Sequence, residues 1–153
     1  MDYTNHEELH ELIKKELSDK YVIASANIIY LEELEQRNYV VFITQFRDVL
    51  THISNIYLAE DILTSKDFVL EQLERAKGHL ERIVIDSYMK IGELLLKKIK
   101  RKARGKASVS LEVQIAQKIK SLRLAEKDIA FEEKCSGYQE LIEMMENIID
   151  NKI

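Results

Sequence analysis

"SKDFVLEQLERAKGHLERIVIDSYMKIGELLLKKIKRK", residues 65–102, decides the fold class. Val69, Leu73, Ala76, Leu80, Ile83, Val84, Ile91, Leu94 and Leu95 recur with the period of an α-helix, forming one continuous apolar stripe. Ser65 followed by Asp67 is a helix-start signal, and the cations at the far end suit the negative pole of the helix dipole. A strand pattern would alternate every second residue, and nothing in this stretch does so.

Outward from that stretch the same periodicity continues. A first helix is expected from Asn5 to Arg37, opened by "NHEE". Its apolar positions are Leu9, Leu12, Ile13 and Leu17, then Ile23, Ala26, Ile29, Tyr30 and Leu34. A second is expected from Asn38 to Ala59. Beyond Lys102, "ARGKAS" is the convincing break, with Gly105 past the helix end and Ser108 or Ser110 placed to cap the next helix. A fourth helix then carries Leu111, Ile115, Ile119, Leu122, Ala125 and Ile129 and continues through Tyr138, Leu141, Ile142, Met145 and Ile149, with a bend expected at Gly137. Long helices joined by short loops become antiparallel neighbours. The expectation is an all-α, antiparallel up-down bundle of about four long helices, with residues 1–153 as one domain. The length of the third and fourth helices points to a second chain covering them, so a homodimer is expected.

Composition agrees. The chain of 153 residues has no proline, four glycines and no tryptophan, too few turn residues for a sheet-rich domain. The single cysteine, Cys135, cannot close a disulfide within the chain and fits a reducing compartment. "MDYTNHEELHELIKKEL" lacks the pattern of a signal peptide, and "LERIVIDSYMKIGELLL" is interrupted by Asp86, Lys90 and Glu93, so no membrane span and a cytoplasmic location are expected.

The net charge is −4, yet "KKIKRKARGK" (97–106) holds seven cations and no acid: Lys97, Lys98, Lys100, Arg101, Lys102, Arg104 and Lys106. Two readings stay open: a grip on a polyanion such as RNA, or a solvated helix end neutralised by the acidic C-terminal stretch.

"QFRDVLTHI" (45–53) puts Arg47, Asp48 and His52 inside an apolar helical segment. Asp48 and His52 are four apart, on one face, where a carboxylate can fix an imidazole's tautomer. Arg47 and His52 stand about 140° apart around the axis, at roughly 100° per residue, so both can reach a group docked on one edge. Phosphodiester cleavage needs that combination: a histidine to move a proton and a guanidinium to hold phosphate.

Arginine, then aspartate, then three residues and a histidine on a bundle helix resembles the R-x4-6-H signature of the HEPN superfamily. That resemblance implies a small all-α bundle, frequently dimeric, that is a metal-independent ribonuclease or an RNA- or protein-binding relative that has lost catalysis. It also implies Arg47 as phosphate ligand, His52 as acid–base group and Asp48 as its polar orienter. Partners implied are RNA and a cognate protein such as an antitoxin. No cofactor and no metal are expected; His6 and His10 have ligand spacing but no further ligands at fixed spacing. The alternative is a non-catalytic helical module for dimerisation or protein binding.

A second polar stripe, Arg75, His79, Arg82 and Asp86, lines one face of the third helix. It reads either as solvated surface or as the opposite wall of an anion site facing "QFRDVLTHI". Gly78, beside His79, leaves room for a close approach.

Overall fold

A computed structural model describes residues 1–102, 106–125 and 129–152. Among the described residues there is no strand, and five helices follow one another: α1 (His6–Glu35), α2 (Val40–Tyr57), α3 (Lys66–Lys102), α4 (Lys106–Leu124) and α5 (Phe131–Lys152). Where one fourth helix was expected there are two, α4 and α5. Arg104, Gly105, Glu126 and Asp128 lie outside the described residues, and of Lys106 only the backbone is described. Ser110 lies inside α4, as does the backbone of Ser108, whose side chain is outside the description. No helix among the described residues is long and apolar enough to cross a membrane.

The chain forms two compact units, Met1–Val84 and Ile85–Ile153. In the first, side-chain pairs fix the helix directions. Tyr21 meets Phe46 and His10 meets Tyr57, so α1 and α2 run antiparallel. Gln45 meets His79 and His52 meets Gln72, so α2 and α3 are antiparallel as well. Glu16 pairs with Lys77 at 3.0 Å and Lys20 with Glu81 at 3.8 Å, which sets α1 parallel to α3. This is an up-down-up arrangement of three helices.

Local chemistry starts and stops these helices. The Asn5 side chain accepts from the Glu8 backbone N–H at 2.9 Å, and the Glu8 carboxylate accepts from the Thr4 N–H at 2.6 Å, a reciprocal cap. At the far end Gln36 takes a left-handed conformation (φ 55°) and donates its N–H to the Glu32 carbonyl at 2.7 Å, ending α1. The buried Tyr3 hydroxyl donates to the Ile62 carbonyl, tying the chain start to the segment before α3.

The expected α3 stripe is buried throughout: Val69, Leu73, Ala76, Leu80, Ile83 and Val84 in the first unit, Ile91, Leu94 and Leu95 in the second. Truncating one such leucine costs about 2–5 kcal/mol. The second half of α1 differs from expectation. Ala24, Asn27, Ile28 and Leu31 are buried, while Ile29 is 58% exposed. The run "ASANIIYL" is apolar in several helical phases, so periodicity alone could not select the inward one.

In the second unit, Tyr88 of α3 stacks on Tyr138 of α5, with ring centroids 5.8 Å apart, and its hydroxyl accepts from Gln139 Nε2 at 2.9 Å. Ile115, Tyr138, Leu141, Met145 and Cys135 are buried there. Gly137 lies within α5 and does not end it. A Cβ at that position would stand 2.6 Å from Leu122 Cδ2, so the glycine lets α4 and α5 pack closely.

Candidate functional site

Two glutamines and two histidines organise the surface between α2 and α3. Gln45 and His52 are seven apart on α2; Gln72 and His79 are seven apart on α3. Seven residues are close to two helical turns, so each pair shares a face. With the helices antiparallel, the pairs bond crosswise. His52 Nδ1 lies 2.8 Å from Gln72 Oε1, and His79 Nδ1 lies 2.7 Å from Gln45 Oε1. The two imidazoles stack between these bonds, with centroids 5.3 Å apart and planes 23° from parallel.

The tautomers follow from the partners. An amide oxygen only accepts, so each Nδ1 carries the proton. Asn55 Nδ2 donates to the same Gln72 oxygen at 3.1 Å, which fixes the orientation of that amide. Gln72 is buried, and both bonds satisfy its oxygen. Each ring thus keeps Nε2 as a lone-pair nitrogen, and neither Nε2 has a hydrogen-bond partner among the described residues. Both rings are half-buried. Burial holds the His79 pKa below the usual imidazole value, and the neighbouring His52 and Arg82 push the same way against Asp48. His79 is therefore a neutral base at pH 7.

Arg47 is exposed, with 73% of its side chain accessible, and its Nη2 lies 3.4 Å from Asp48 Oδ1. The bond that orients the His52 ring comes from Gln72, one helix away, while Asp48 is engaged by Arg47. In the second polar stripe, Arg75 is held by Glu71 at 2.6 Å as an exposed ion pair. Arg82 is exposed and close enough to act on His79 electrostatically. Asp86 belongs to the second unit and is exposed there. Gly78 is exposed, with nothing within 4 Å of the position its Cβ would take. His10 Nδ1 lies 3.2 Å from the Tyr57 hydroxyl.

From the first stripe and the second, then, His52 and His79 come together, with Asp48 and Arg82 within electrostatic reach of His79. The glutamines are the residues that sequence reasoning passed over. Their signal was present as a repeated Gln-x6-His, in "QFRDVLTH" and "QLERAKGH", but glutamine is so ordinary on a helix surface that the repeat carries meaning only once the helices are known to be antiparallel neighbours.

In the second unit, Lys97, Lys98, Lys100, Arg101 and Lys102 are all exposed around the last turns of α3, while Ile99 among them is fully buried. Family models, curated proteins and solved structures gave no match to this chain.

Proposed function

We propose that this chain is a cytoplasmic HEPN-like domain that binds RNA and cleaves it without a metal ion, using His52 and His79 as its acid–base pair. The observation that carries this reading is the pair of stacked imidazoles with both Nδ1 atoms tied down and both Nε2 atoms unbonded. RNA cleavage by its own 2′-hydroxyl needs one group to take a proton and another to give one. His79, held neutral by its surroundings, removes the 2′-hydroxyl proton at Nε2. The 2′-oxygen bonds to phosphorus as the bond from phosphorus to the 5′-oxygen breaks. His52, after taking a proton from water at its open Nε2, delivers that proton to the leaving oxygen. The products are a 2′,3′-cyclic phosphate and a free 5′-hydroxyl.

The two arginines supply charge. Arg47 and Arg82 are exposed cations on the two helices that carry the histidines, suited to hold a phosphate as charge develops. Asp48 is bonded to Arg47 and, against the larger effect of burial, favours a proton on His79. The exposed cations Lys97 to Lys102 are suited to hold RNA backbone through charge alone.

Cleavage of a labelled RNA in chelator tests the proposal. His52→Ala and His79→Ala should each lower the rate about 10²–10⁴-fold, the usual worth of one acid–base group. The double variant should be scarcely slower, because both groups serve one transition state. Unchanged cleavage in His52→Ala, with contaminating nuclease excluded, would remove the proposal.

A further inference from the structure

Two serines of α1 leave a slot between α1 and α2. Lys14, Ser18, Tyr21 and Ser25 fall at i, i+4, i+7 and i+11, one stripe of α1. Phe46, Val49, Leu50 and Ile53 form the facing stripe of α2. Tyr21 bridges the two walls by meeting Phe46 edge-on, with ring centroids 5.8 Å apart. Packed helices normally interdigitate their side-chain ridges, and a serine is too short to reach across. The space left is a groove of about 490 Å³ that lies wholly within the first unit. That is the size of a small-molecule pocket. Its buried floor is apolar, made by Leu17, Val49 and Leu80.

Shape and charge select the ligand. The antiparallel pairing that sets Tyr21 beside Phe46 and His10 beside Tyr57 puts Lys14 level with Ile53, at one end of the groove. From Lys14 to Ser25 the groove is about 17 Å long at 1.5 Å per residue. An extended alkyl chain advances about 1.25 Å per bond, so about ten to twelve carbons and a headgroup span it. Lys14 is the one charged residue in the lining; it is exposed and has no ion pair among the described residues. The acids around it are committed elsewhere. Glu16 is held by Lys77, and Asp48, the one acid of α2, is bonded to Arg47. A cation at one end of an uncharged apolar slot complements a molecule with an anionic head and an apolar tail.

We infer that the groove binds a free fatty carboxylate of about ten to twelve carbons, its tail laid between α1 and α2 and its carboxylate on the Lys14 ammonium. The site rests on the groove and its lysine and does not depend on the phosphodiester reading. Tyr21 and Leu50 on the two rims are 55% and 63% exposed, so the groove is open along one side. Part of the tail stays in water, which places the affinity in the micromolar range.

Isothermal titration calorimetry with sodium dodecanoate, near neutral pH and below its micelle concentration, should give one site with a dissociation constant of about 10–100 μM. Octanoate should bind about tenfold more weakly or worse, since each methylene half withdrawn from water is worth about twofold. Wild type should prefer dodecanoate to dodecyltrimethylammonium, and Lys14→Glu should reverse that preference. Ser18→Leu and Ser25→Leu, which fill the slot from α1, should each abolish dodecanoate binding with unchanged circular dichroism. Ser18 is exposed, so its variant tests the slot even where Ser25→Leu fails to fold. No binding at about 1 mM dodecanoate would overturn the inference. Equal affinity of wild type for the anionic and cationic probes would do so too, as would binding indifferent to Ser18→Leu. So would a groove closed by another copy of the chain, seen as dodecanoate affinity that falls as protein concentration rises.

Discussion

His52 and His79 each have one ring nitrogen committed to a glutamine and the other left open, so the rings are held stiffly while Nε2 stays open. A ring free to rotate would lose the geometry that proton transfer needs; here the amide oxygens of Gln45 and Gln72 remove that freedom. The burial that lowers the His79 pKa has a consequence for stability. A base whose folded pKa lies below its unfolded value binds fewer protons folded than unfolded, so protons favour unfolding. The contribution is fully present above the unfolded value of about 6.5 and is lost as pH falls from there through the lowered folded value. Urea titrations should therefore show wild-type stability dropping between pH 7 and pH 5. In His79→Gln the slope in that window should be shallower, even though the variant starts from lower stability. Equal slopes would mean that His79 does not carry the effect. Legibility at single positions was uneven. Arg47, Asp48 and His52 stood out because charged residues interrupt an apolar run, whereas Gln72, which orients the His52 ring, could be found only from the pairing of two helices.

Among the helices, α3 was the most legible and α1 the least. The α3 stripe has one apolar phase, and every position read from it is buried. The second half of α1 offers apolar residues in several phases, so the inward set is decided by what α2 and α3 present to it. Gly78 was read as a point of close approach, but its Cβ position is open. In an exposed helix interior, Gly78→Ala should then stabilise by about 0.5–1 kcal/mol, measured by thermal or urea unfolding. If the variant also cleaves RNA at the wild-type rate, no ligand touches that backbone. The end of α3 makes a separate prediction. Reversing Lys98, Lys100 and Arg101 to Glu should weaken RNA binding across sequences and flatten its dependence on salt, since each phosphate contact on a single strand contributes a slope of about −0.7. Fluorescence anisotropy at several salt concentrations reads both. A variant that binds as wild type does would leave these cations as solvated surface.

The all-α character was readable from the sequence because turn residues are scarce and the helical period recurs throughout. The boundary between α4 and α5 was not, since the region carries neither proline nor glycine and the apolar spacing runs on through Ala125 and Ile129. The partner histidine was hidden for a related reason: His79 sits 27 residues from His52, and only an antiparallel α2–α3 pair brings the two rings within 5.3 Å. That pairing makes the central claim a statement about one chain, with acid and base supplied by neighbouring helices of the same molecule. Its most direct test is a short RNA with a single 2′-deoxy substitution, incubated with the protein in excess chelator and resolved by mass spectrometry. Fragments ending in 2′,3′-cyclic phosphate at every cleaved linkage, no cut at the deoxy position, and loss of all fragments in both His52→Ala and His79→Ala are the predicted result. Cleavage at the deoxy linkage, products bearing 5′-phosphate, or full activity in His79→Ala would contradict it.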